Sequence, residues 1–151
     1  MQPFFEEYLK LQTNLHLELE KTIAGLAGEA LNWSPTPDSN SLGVLLVHLT
    51  GAERYLSGDV VAQIPSNRNR DAEFQTRDAD ETTLRQRLTD NRAFTQQILE
   101  KLSLEDLNSP RIFPRDGRDC TVAWALLHAL EHTALHVGHA QLTRQLWEQQ
   151  K

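Results

Sequence analysis

Hydrophobic positions recur at helical spacing through four long stretches of the chain, and the segments between them hold the turn residues. Phe4, Tyr8, Leu11, Leu15, Leu19, Ile23 and Leu26 step by threes and fours, with Glu6, Glu7, Lys10, Glu18, Glu20 and Lys21 between them. That pattern predicts an amphipathic helix from Pro3 to about Ala27, with Pro3 in the first turn and Gly25 and Gly28 bracketing the stop. Pro35 and Pro37 forbid a continuing helix and predict a turn that feeds a new one. From Ser39 or Ser41 to Val61, Leu42, Leu45, Leu46, Leu49, Ala52, Tyr55 and Leu56 restore the helical period, and this second helix carries His48.

Ile64 to Asp78 is polar and interrupted by proline, which predicts a loop. Asp78 stands in capping-box spacing before Glu81, so the third helix is expected from about Ala79 to Leu102. Ser109-Pro110, Phe113-Pro114 and Asp116-Gly117 predict turns through Ser103 to Asp119, with one helical turn at Leu104 to Leu107. A cap at Asp119 or Thr121 then opens a last helix running to about Glu148. With four helices and no strand pattern, the expected fold class is all-α, a four-helix bundle.

Composition narrows the picture. The 151 residues, 39% apolar and 24% charged, suit one domain over residues 1–151 with a core of its own. A net charge of -6 without a basic cluster beyond Arg68 and Arg70 argues against nucleic acid as a partner. Glu6 and Glu7 stand where an export signal would be basic, and apolar runs such as Val122 to Leu127 are far short of the roughly 20 residues of a membrane span. The single cysteine, Cys120, allows no intrachain disulfide. A cytoplasmic protein is the expectation.

The candidate chemistry lies in the last helix. His128, His132, His136 and His139 project within an arc of roughly 80° at helical geometry. Neighbours one turn apart can share an ion, although the HExxH pattern with its glutamate base is missing. His48, in the apolar stretch Val44 to Leu49, offers a third imidazole from a helix expected to face the core. Four histidines on a face that also carries Trp124 and Leu135, both expected to point inward, are costly to bury without a common partner. The competing readings are a solvated histidine face and a lone core histidine satisfied by a neighbour.

Trp33-Ser34-Pro35, then Ser41-Leu42-Gly43-Val44-Leu45-Leu46-Val47-His48-Leu49, then His132-x-x-x-His136-x-Gly138 with Arg144, resemble the DinB-like superfamily over nearly the whole chain. The resemblance implies a four-helix bundle of DinB-like type that binds a divalent metal ion, zinc or nickel, through His48, His132 and His136. It also implies a low-molecular-weight thiol and a small-molecule substrate, as in the thiol-dependent S-transferases or hydrolases of that group, and leaves a homodimer as an open expectation. This chain departs from many relatives in having His139 where they carry glutamine. His139 is therefore read as a residue beside the site, and His128, also four residues from His132, as the reserve ligand.

Other residues receive plainer readings. Cys120 at a helix start could have a lowered thiol pKa but is more often incidental. Glu53, roughly 140° around the helix from His48, is poorly aimed at the same ion. Trp33, Trp124 and Trp147 read as packing, Arg144 as the partner of a carboxylate, and Gly138 as a point of close helix approach or pocket access beside His136. The functional expectation is a metal-dependent transferase or hydrolase that activates a thiol or water. The alternatives are a non-catalytic metal-binding or stress-response domain and a helical module that binds nothing.

Overall fold

The computed structural model describes residues 1–150. Four long helices form the bundle. The first, α1 (Pro3–Ile23), begins at Pro3 and ends before Gly25, whose φ of +70° is a left-handed conformation open to glycine. After the short α2 (Gly28–Asn32) comes α3 (Leu42–Tyr55), opened by the Ser41 hydroxyl accepting the Val44 N–H at 3.2 Å. It continues without a break into a π-helical stretch, Leu56–Ala62, which ends at Gln63 with a φ of 56°. A one-turn helix, α4 (Arg70–Glu73), precedes α5 (Glu81–Leu99), and α6 (Val122–Glu148) closes the fold with Thr121 as its cap.

The core explains the helix directions. One apolar cluster gathers Phe5 and Tyr8 of α1, Leu56 and Val60 after α3, Leu99 of α5 and Leu126 of α6. A second gathers Leu19 and Ile23, Leu42 and Leu46, Leu84 and Leu88, and Val137 and Ala140 from the same four helices. Passing from the first cluster to the second, α1 and α6 run N to C while α3 and α5 run C to N. The helices α3 and α5 are therefore parallel. Their connection must travel the length of the bundle, which is why Gln63 to Asp80 is long and why it carries Arg68 and α4 along the outside of α3.

Several boundaries differ from the sequence expectation. The third long helix is capped by Asp80, not Asp78, with the Asp80 carboxylate accepting the Thr83 N–H at 2.9 Å. The expected loop after it contains the 3-10 turn Glu105–Asn108 and then a small antiparallel hairpin, β1 (Pro110–Ile112) and β2 (Asp119–Thr121). Strands of three residues leave too little alternation to be seen in sequence. Leu135 is 57% exposed, against the expectation that it faces the core. No helix among the described residues is long and apolar enough to cross a membrane.

Candidate metal centre

His48 projects from α3 and His132 and His136 from consecutive turns of α6, where the two helices pack side by side. His132 Nε2 lies 3.2 Å from His48 Nε2 and 3.2 Å from His136 Nε2. One ring nitrogen from each of the three falls within 4.8 Å of the other two. The structure brings His136, not His128, into this group. His128 lines the same cavity but stays outside the converging nitrogens, its ring centroid 6.2 Å from that of His132, stacked on Trp124 at 4.8 Å and paired with Glu131 at 3.2 Å. His139 stays on the outer side of His136, its Nδ1 3.4 Å from His136 Nδ1.

The connection between α3 and α5 completes the centre with two residues that sequence reasoning did not single out. Glu73, at the end of α4, meets His48 Nδ1 at 2.9 Å and is 7% exposed. Arg68 grips the same carboxylate through Nε at 2.6 Å and Nη2 at 2.8 Å. Burial pushes the Glu73 pKa up, but Arg68 and His48 outweigh it and hold the carboxyl below its usual range. An ionised carboxylate only accepts, so His48 Nδ1 carries a proton toward it and Nε2 faces the other two rings. The Arg68 Nη2 approach to His48 Nδ1, 3.4 Å, joins two donors to one oxygen and is no bond of its own. Gly51, one turn after His48, makes room for this arrangement, since a Cβ there would collide with the Glu73 carboxylate.

The other two rings are poor bases. Burial, reinforced by His136 and His48, depresses the His132 pKa from 6.5 to about 3. Burial, with His48 and His139, takes His136 from 6.5 to about 4. These two rings are therefore neutral at physiological pH. His132 Nδ1 is buried without a partner, so this ring is held on its inner side and not from behind. The donor set consists of three imidazoles, with a carboxylate fixing the tautomer of one and no carboxylate among the converging nitrogens. It fits a divalent ion of borderline softness and leaves room for a further ligand.

That further ligand has a place to bind. A cavity of about 280 Å³ opens beside His48 and His132, walled by Tyr55 and Phe113 and reached by Arg68, Arg70 and Arg115. The hairpin supplies Phe113 and Arg115, and the α3–α5 connection supplies Arg68 and Arg70, so both irregular segments converge on the histidine face.

Most of the remaining residues considered from sequence fall outside the centre. Glu53 points away from it, to a buried His16 that the sequence reading passed over, with Nε2–oxygen distances of 2.9 and 3.0 Å. The Cys120 thiol pKa is raised by burial, contrary to the lowering a helix start would give, because Cys120 lies in β2 ahead of the helix. Arg144 pairs with Glu148 and caps the Thr22 and Ala24 carbonyls. A Cβ on Gly138 would meet nothing within 4 Å, so this glycine serves no close helix approach. Trp33 and Trp147 pack on each other at 5.6 Å. The only hint of Glu73 and Arg68 in the sequence is the length of the polar segment that holds them.

A family model described as mycothiol-S-transferase matches residues 8–149. Among solved structures, one described as the conserved protein of a locus from Enterococcus faecalis is 18% identical, with a TM-score of 0.78 over 97% of this chain and 98% of that one. At that identity the likeness is one of fold. No curated protein matches the chain. With the match extending over nearly its full length, the chain belongs to the mycothiol-S-transferase family, within the DinB-like superfamily.

Proposed function

We propose that this protein is a metal-dependent thiol S-transferase whose ion, zinc or nickel, is held by His48, His132 and His136. The observation that carries the reading is the convergence of three imidazole nitrogens within 4.8 Å at the edge of a cavity. A divalent ion held there supplies Lewis acidity that keeps a thiol deprotonated near neutral pH. The chain's own residues do the rest. Glu73 and Arg68 hold His48 in the tautomer that offers Nε2. The low basicity of His132 and His136 keeps each ring neutral, with one nitrogen free of a proton, and Tyr55 and Phe113 wall the cavity. In the transfer, the sulfur–carbon bond forms as the bond to the acceptor's leaving group breaks, and the thiol proton passes to solvent.

The test is to load the chain with zinc or nickel, free of any histidine tag, and to titrate thiol and electrophilic acceptor together. About one ion per chain is expected, bound near neutral pH and released only as pH falls well below the ordinary imidazole value of about 6.5. His136→Ala should weaken the ion far more than His128→Ala does. Ion binding without transfer from any thiol would leave a non-catalytic metal-binding protein. A larger loss in His128→Ala would move the ligand set.

A further inference from the structure

The arginines of the described chain are almost all accounted for. Arg85 and Arg92 pair with Glu20, Arg118 with Asp116 and Arg144 with Glu148; Arg68 grips Glu73. Arg77 and Arg111 donate to main-chain oxygens and Arg87 to the Thr50 hydroxyl. Arg54 lies flat on the Phe94 ring at 3.5 Å and lines a different cavity. Arg70 and Arg115 are left with no ion pair or side-chain hydrogen bond among the described residues, and both line the cavity beside His48 and His132. Its lining contains no aspartate or glutamate.

This is a local reversal of sign in a chain whose net charge is -6. Two guanidinium groups without a carboxylate partner, Arg70 and Arg115, line this cavity together with the Glu73-paired Arg68 and the imidazoles, and an ion at the histidines adds further positive charge. Arg70 is also placed by packing. Its guanidinium lies 4.8 Å from the centre of the Phe74 ring, and that ring lies 4.8 Å from the centre of the His48 ring. A molecule with its sulfur at the histidines thus meets an unpaired guanidinium, Arg70, on the α4 side of the cavity and another, Arg115, on the hairpin side. Guanidinium groups bind carboxylates in a planar, two-pronged geometry, and a neutral sugar-like or amide group gives them no charge to pair.

We infer that the thiol this protein takes carries one or more carboxylates, recognised by Arg70 and Arg115, and is not a neutral thiol. The inference rests on the metal-bound thiol proposed above. It assigns the two arginines to thiol recognition and leaves ion binding to the histidines.

The experiment uses the zinc-loaded full chain and two matched pairs of thiols, N-acetylglutathione with its diethyl ester and N-acetylcysteine with its amide. Affinities are measured by isothermal titration at low and high salt. The acidic member of each pair should bind about tenfold more tightly at low salt, and the preference should shrink as salt rises. Arg70→Ala and Arg115→Ala should each weaken the acid by about fivefold without moving its neutral partner, and the double variant should lose the preference. Zinc content and circular dichroism of the variants provide the check on folding. Equal affinity for acid and neutral partner, or a preference that survives in the double variant, overturns the inference while leaving the metal-bound thiol standing. Zinc-independent binding of every thiol, or no binding of any, overturns both.

Discussion

Two histidines on diagonally opposed helices of this bundle meet buried carboxylates, His16 on Glu53 and His48 on Glu73, and the two meetings have opposite consequences. Glu53 takes Nε2 of His16, the outer ring nitrogen, and is itself closed off by the Thr133 hydroxyl at 2.7 Å and the Asn91 amide at 2.9 Å. Every group around it comes from inside the core, between the two apolar clusters, and His16 is fully buried. Glu73 takes Nδ1 of His48 instead, from behind, and leaves Nε2 facing two other imidazoles beside a cavity. Which ring nitrogen the carboxylate occupies separates a pair that joins four helices from a pair that leaves an imidazole nitrogen facing its neighbours.

Electrostatics follows the same division. Burial pushes the Glu53 pKa up, but His16, Thr133 and Asn91 more than offset this and hold it below its usual value. The charge is felt by its neighbour Tyr8, whose pKa is raised, first by burial and then by Glu53. The polar layer is thus an internally balanced unit, whereas the three converging histidines have no carboxylate among them and two have depressed pKa values. Only the second arrangement gains from a cation.

The contrast can be broken by mutation, and the largest effect belongs to the core pair. Glu53→Leu strands the buried His16 ring and should cost about 3–5 kcal/mol of stability in urea unfolding, with one zinc still bound by the folded fraction. A cost under about 1 kcal/mol would show the pair to be dispensable, and loss of zinc from folded protein would join the two regions that the comparison separates.

At the other pair the effects exchange places. Glu73→Gln keeps an acceptor for His48 but removes the charge, and should lower zinc affinity about 10- to 100-fold with little change in unfolding. Unaltered affinity would mean that His48 needs no carboxylate to aim it. The smallest effect is expected at Gly138, which touches neither pair. Gly138→Ala should stabilise the chain by about 1 kcal/mol, because the added methyl meets open space and alanine loses less backbone freedom in a helix. Destabilisation, read from the thermal midpoint, would restore the expectation that this glycine admits a close neighbour.

Much of the bundle is legible from the sequence because helices announce themselves through local periodicity and caps. The four long helices, the caps at Ser41 and Thr121, each one of two candidates in the sequence, and the shared face of His132 and His136 all depend on residues within one or two turns of each other. His48 stands out for the same reason, as a polar residue in an apolar stretch. What periodicity cannot show is which way each helix runs against its neighbours. Tertiary packing decided that α3 and α5 are parallel, and so sent a long connection past the histidines with Glu73, 25 residues from His48, at its inner edge. It also left Leu135 in solvent, turned His128 onto Trp124, and gathered Gln12, His16, Glu53, Asn91 and Thr133 into one layer. The sequence by itself determined the helices and the imidazoles they carry, because those signals repeat within a few residues. The partner of each imidazole was decided only in three dimensions, because a hydrogen bond depends on distances that the fold alone sets.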